Sequence, residues 1–273
     1  MIKESISSLL HTTRALFSNR GSLAILAGLY VLLLAALYGF IATREATVWQ
    51  ILLTLVFLAA APVIFFLLQA AIINHARAGR FEWSRVLSDS TRFALLALPV
   101  ILIGVGIMWL LNRWQAHYLA PTVNPGPLLS TPAAPLHWPS IMFATLRALI
   151  FGIALPLALI QLWVEAAGRS LFVRTGGRAF LNRLGQTLSR AFAPQSVLIY
   201  MLGLFIFGLL PYVLVFIRIP FKGTWSEMSI FTVRLVVVFA LILLGWVITL
   251  STFAKSGEGL AVASPEPNAT ESV

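Results

Sequence analysis

Polar and apolar positions in this chain separate into long blocks rather than short alternations. Six blocks are uncharged and almost wholly apolar: residues 21–43, 46–76, 93–112, 148–164, 191–217 and 235–254. Each is bounded by Arg, Lys or Glu. A hydrocarbon layer about 30 Å thick needs roughly 20 apolar helical residues to cross it. Five blocks reach that length. The fourth has 17 residues and is just long enough at about 1.5 Å of rise per residue. The pattern predicts an all-α polytopic membrane helix bundle with about six transmembrane helices. The expected spans are about 21–43, 48–73, 93–112, 147–167, 195–217 and 231–254, in one transmembrane domain covering 1–255.

A second, shorter pattern precedes each odd-numbered span. Ile2, Ile6, Leu9, Leu10, Leu16 and Phe17 recur near helical spacing, and so do Phe180, Leu181, Leu184, Leu188, Ala191 and Phe192. Trp83, Val86 and Leu87 do the same more briefly before the third span. The wording echoes too: Leu10 to Arg14, Leu87 to Arg92 and Leu184 to Arg190 each run from Leu through mostly polar residues to Arg. An aromatic follows within three residues in every case. The expectation is amphipathic helices lying in the cytoplasmic interface, arranged as three units of surface helix plus two-span hairpin. Arg174, Arg178, Arg183 and Arg190 flank the apolar stripe of the last of these. They are the expected contacts for anionic lipid headgroups, at about 1 kcal/mol per basic residue near the surface.

Between spans three and four, residues 113–146 hold Pro121, Pro125, Pro127, Pro132, Pro135 and Pro139. That density predicts an extended, Pro-rich external loop. Trp114, Tyr118 and Trp138 suit the headgroup level. Residues 256–273 are small, polar and Pro-containing, and are expected to be a disordered cytoplasmic tail.

Charge sets the orientation. Of the 19 Lys and Arg, thirteen fall in the N-terminus, the second and fourth loops and the C-terminus, and six in the other loops. By the positive-inside rule both termini are cytoplasmic. Six spans also place both ends on one side. The expected site is the cell membrane, or the inner membrane in a Gram-negative source. The net charge of +10 raises nucleic acid as a partner. The basic residues sit beside spans, where topology and anionic lipid account for them, and no basic module interleaved with aromatics is present.

Chemistry is sparse. The absence of cysteine excludes disulfides, thiolate metal sites and a Cys nucleophile. His11, His75, His117 and His137 show no ligand spacing. No paired carboxylates, phosphate-binding Gly loop, HExxH or GxSxG occurs. No catalytic residue, metal or cofactor is expected.

Among the acidic residues only Glu165 continues an apolar span, with Arg169 one turn on as its expected helix partner. Gln161 lies four residues earlier on the same face. Gln50, Gln69 and Asn74 mark the second span, and such amides commonly bond between membrane helices. Gln69, Gln161 and Glu165 are therefore the candidate intramembrane polar site. Pro62, Pro99, Pro156 and Pro211 interrupt spans two to five. Proline frees a carbonyl and kinks a helix, a device that transporters use near the midplane.

The segment Glu165-Ala-Ala-Gly168-Arg169-Ser170-Leu-Phe-Val-Arg174 closes a span with an acid and opens a basic surface helix. With the span pattern, it resembles bacterial six-span membrane families, including the membrane domain fused to glycerophosphodiester phosphodiesterases. The resemblance covers ten residues and the layout. It implies the same kind of six-span fold. These 273 residues carry no phosphodiesterase domain, so it implies no catalysis. The expected function is a non-enzymatic envelope accessory or scaffold, working through membrane lipids and a protein partner in the membrane. The alternative is a small transporter or lipid-handling permease.

Overall fold

The computed structural model describes residues 7, 10, 13–14, 18–43, 47–118, 138–168, 177–217 and 224–262. Among them the regular elements are seven helices, and none forms a strand. We number them α1 (Arg20–Ala42), α2 (Val48–Ala78), α3 (Trp83–Tyr118), α4 (Trp138–Ala167), α5 (Gly177–Ala191), α6 (Pro194–Phe216) and α7 (Thr224–Val262). All but α5 are long and apolar enough to cross a membrane. The chain is an integral, multi-pass membrane protein.

Local chemistry sets the helix ends. Asn19 caps α1 by accepting from the Ser22 amide at 3.2 Å. Thr47 caps the start of α2. The Gln50 amide donates to Thr47 Oγ1 at 3.4 Å, and the Thr47 hydroxyl donates to Gln50 Oε1 at 3.2 Å. Gln50, read from sequence as an amide bonding between helices, is thus tied to its own helix end. At the other end Gly79 takes φ 67°, the left-handed conformation that lets the chain turn sharply into α3. Pro194 stands in the first turn of α6, where its missing N–H costs nothing.

Four helices overrun their expected bounds, α2 by running on to Ala78 instead of 73. Trp83–Arg92, expected as a separate surface helix, is the first part of α3, so the second of the three repeat units has no separate surface element. The external loop expected over 113–146 loses both edges, because α3 continues to Tyr118 and α4 begins at Trp138. The tail expected from residue 256 stays helical to Val262. In each case extending an existing helix adds one hydrogen bond per residue without a new nucleation cost. Residues 119–137 and 263–273, also part of those expectations, lie outside the described residues. Of the expected N-terminal amphipathic stretch only positions 7, 10, 13, 14 and 18 are described, all helical.

Helices α2, α4 and α7 form the centre of the bundle. α1 packs on α2, α3 on α2 and α4, and α6 on α7. The tightest part of the core is aromatic. Trp163 on α4 stacks on Phe93 of α3 at 5.8 Å and meets Phe65 and Phe66 of α2 edge-on at 6.1 and 6.0 Å. Its indole N–H donates to the Phe93 carbonyl at 3.3 Å. Most other large side chains on the outer faces of the spans are exposed in the isolated chain. Lipid covers them in place of a second protein layer.

α5 is the surface helix. Thr187 and Ala191 are buried and Leu184 packs against the core, at the spacing of one helical face. That face lies on α4 and α6.

Candidate functional site

Two of the long helices are not α-helical throughout. In α4, Ile150–Ala154 is a π-helical turn followed by Leu155 and Pro156. In α6, Phe205–Leu209 is a π-helical turn followed by Leu210 and Pro211. Such turns often mark functional sites in helices. In a regular helix the Gly152 carbonyl would pair with the N–H of residue 156, but Pro156 has none. The Tyr200 hydroxyl, from α6, donates to that carbonyl at 2.8 Å. A defect in one span is thereby satisfied by its neighbour.

Below the same turn of α6 the bundle opens. A cleft of about 380 Å³ lies between α1, α2, α6 and α7. Tyr30 and Leu33, Phe207 and Gly208, and Gly245 line it from near the middle of their helices, which sets it at mid-membrane depth. Its walls are overwhelmingly apolar. Leu204 and Ile242 line it while remaining 47% and 41% exposed, so the mouth opens sideways toward lipid.

The polar groups in the cleft are few. Gln69 is 1% exposed, and its Oε1 accepts from Trp246 Nε1 at 2.6 Å. The Gln69 Nε2 donor has no hydrogen-bond partner among the described residues. Nor has the Tyr30 hydroxyl. Unpaired donors beside an apolar cavity are costly, and an acceptor placed in the cleft would relieve that cost. Thr249, buried on α7, adds a hydroxyl. Two glycines let α6 and α7 close behind the cleft. A Cβ on Gly203 would run into Thr249, and one on Gly245 into the Cβ of Phe207.

The structure divides the predicted polar site. Gln69 lines the cleft, but neither Gln161 nor Glu165 does. Those two lie together at the junction of α4, α5 and α6. Gln161 Nε2 donates to Ser196 Oγ at 3.4 Å, and the Ser196 hydroxyl donates to the Arg190 carbonyl at 3.0 Å. The Glu165 carboxylate is 3.6 Å from the Arg190 guanidinium. Arg169, its expected partner, lies outside the described residues. Of the four predicted headgroup arginines, Arg190 holds this junction and is half-exposed, and Arg183 is partly buried on α5. Arg174 and the side chain of Arg178 lie outside the described residues.

None of the protein-family models, curated proteins or solved structures compared with this chain matches it. The site therefore has to be read from its own geometry. Sequence reasoning missed Trp246, Tyr200 and Gly245, whereas Gly203 was legible as a point of close helix approach. One signal was available: Trp is enriched at membrane interfaces, and a Trp in the middle of the run 235–254 needs a partner for its N–H.

Among the described residues no group of three His, Cys, Asp or Glu is placed to hold a metal ion. The cleft itself contains no ionisable carboxylate, imidazole or amine. What it can do is hold an apolar chain and offer hydrogen bonds to one carbonyl or hydroxyl.

Proposed function

We propose that this chain is a non-enzymatic integral membrane protein that handles lipid, taking an acyl chain from the bilayer into the cleft between α1, α2, α6 and α7. One observation carries the proposal: an apolar, laterally open cavity at mid-membrane depth that holds an unpaired amide donor at Gln69. A lipid tail matches the apolar walls, and its ester carbonyl matches Gln69. In this reading both termini and the α2–α3 turn face the cytoplasm of a cell membrane, following the distribution of Lys and Arg. Arg183 and Arg190 on α5 then lie at the level of anionic headgroups.

The accessory or scaffold role is the second reading. The aromatic packing around Trp163 favours it, because that half of the bundle is solid and offers no passage.

The test is purification of the full chain in native lipid discs with mass spectrometry of what accompanies it. The wild type is expected to retain about one tightly held lipid after detergent exchange. Gly208→Phe, which fills the cleft where a side chain meets only the end of Leu204, is expected to lose it. Retention unchanged in Gly208→Phe, or no held lipid in the wild type, defeats the lipid role. A stoichiometric protein partner in place of lipid points to the scaffold.

A further inference from the structure

On the other side of α2, one and a half turns beyond Gln69, the bundle holds a second cavity of different character. It measures about 210 Å³ and lies where the α2–α3 turn meets the end of α4. Asn74, Arg77, Arg85, Asp89 and Gly168 line it, and about half of its wall is polar. Soluble drug-sized ligands occupy pockets of roughly 300 Å³ and above, so this one suits a single small headgroup.

Each lining group is held in place. Asn74 is 8% exposed, and its Oδ1 accepts from the Glu82 amide at 3.1 Å. That bond fixes the orientation of the side chain and leaves its Nδ2 donors without a partner among the described residues. Arg77 donates one Nη to the Val164 carbonyl at 2.7 Å, at the end of α4. Gly168 carries no side chain where the Arg77 guanidinium passes. The bond to Val164 orients the Arg77 guanidinium along the pocket wall and keeps its positive charge there. Arg85 is held through Nε by Glu82 at 2.7 Å, which leaves its two Nη groups for a ligand.

The charges favour an anion. Arg77, Arg80, Arg85 and Arg92 stand against two carboxylates, Glu82 and Asp89. Asp89 is paired with Arg92 at 3.4 Å along its own helix, and Glu82 with Arg80 and Arg85 at 3.0 and 2.7 Å. The local sum is positive. The single carboxylate in the wall penalises a second negative charge on the ligand.

We propose that this pocket binds a phosphate group, with a singly charged diester preferred over a doubly charged ion. Arg85 supplies the forked Nη donors that suit phosphate oxygens, the Asn74 amide supplies a second contact, and Arg77 adds positive charge to the wall. The site is independent of the apolar cleft, since Asn74 lies about 140° round α2 from Gln69 and about 7.5 Å along it.

The experiment is calorimetric titration of the purified full chain in detergent. Dihexanoyl phosphatidylglycerol is one probe, and inorganic phosphate at matched ionic strength is the other. Saturable one-site binding is expected for the first. Asn74→Asp keeps the acceptor for the Glu82 amide but replaces the donors with negative charge. It is expected to weaken binding about tenfold or more, and Arg85→Gln about three- to fivefold, losses typical of removing charge-assisted bonds. Both variants are expected to melt like the wild type, so neither depends on Arg77, whose removal loosens α4. Phosphatidylglycerol alone binding supports the site and identifies a lipid headgroup; equal binding by inorganic phosphate supports a phosphate site filled by a soluble anion and overturns the preference for a diester. No saturable binding of either probe overturns it, as does binding unaffected by both variants. Gly208→Phe is expected to bind phosphatidylglycerol normally, which separates this site from the cleft.

Discussion

The early and late spans treat the same residue differently. Pro62 and Pro99 lie inside α2 and α3, which remain α-helical from end to end. Pro156 and Pro211 lie inside α4 and α6, and each is preceded by a π-helical turn and a Leu. The neighbours differ. Leu58 and Val63, around Pro62, are more than half exposed, so that stretch faces lipid and can bend freely. The π turn of α4 faces α6, and Tyr200 reaches across to its Gly152 carbonyl. A proline at the lipid surface only bends its helix. A proline between packed helices frees a carbonyl that a neighbour can bind, so it becomes part of the assembly.

The comparison can be broken at five points, from the largest expected effect to the smallest. Gly245→Ala drives a Cβ into the root of Phe207 and forces α6 from α7. About 1–3 kcal/mol of stability should be lost, seen as a lower melting temperature in detergent. Tyr200→Phe leaves the Gly152 carbonyl unpaired in an apolar setting and should cost about 1–2 kcal/mol. Pro156→Ala restores an N–H to the Gly152 carbonyl, so Tyr200→Phe should cost less than half as much in that background. Pro62→Ala should leave the cost of Tyr200→Phe unchanged. Equal coupling in both double mutants would remove the distinction between the two kinds of proline. The least effect belongs to Glu165→Gln, a partly exposed ion pair worth a few tenths of a kcal/mol. Lipid retention should survive it, whereas a proton relay through Glu165 would fail.

What could be read from the sequence follows from range. The six spans were legible because apolar length is a local property and the bilayer sets a single threshold for it. The cap at Thr47 was legible as a motif, although Gln50 was read as an amide bonding between helices. The bond from Trp246 to Gln69 joins residues 177 positions apart, and no spacing rule reaches that far. Glu165 and Gln161 were rightly placed on one face. That face meets α5 and α6 rather than a cavity, because Ser196 and Arg190 reach it only once α5 has folded back. The phosphate pocket was hidden differently: Arg77 and Arg85 were visible as topology signals, and only the turn at Gly79 brings them together.

The length of α3 ties this chain to the thickness of its membrane. Arg92 and Arg113 bracket its apolar stretch and lie about 31 Å apart along the axis, close to the hydrocarbon depth of an ordinary bilayer. The apolar stretch of α3 thus matches that depth, while that of α2, from Val48 to Ala76 and about 43 Å long, exceeds it. A thicker bilayer leaves the longer apolar stretch of α2 in register but draws the arginines at the ends of α3 toward the hydrocarbon. Arg92 holds Asp89, and Asp89 forms a wall of the polar pocket. The residue that marks the edge of the apolar stretch and the carboxylate in the pocket wall are thus joined by one ion pair.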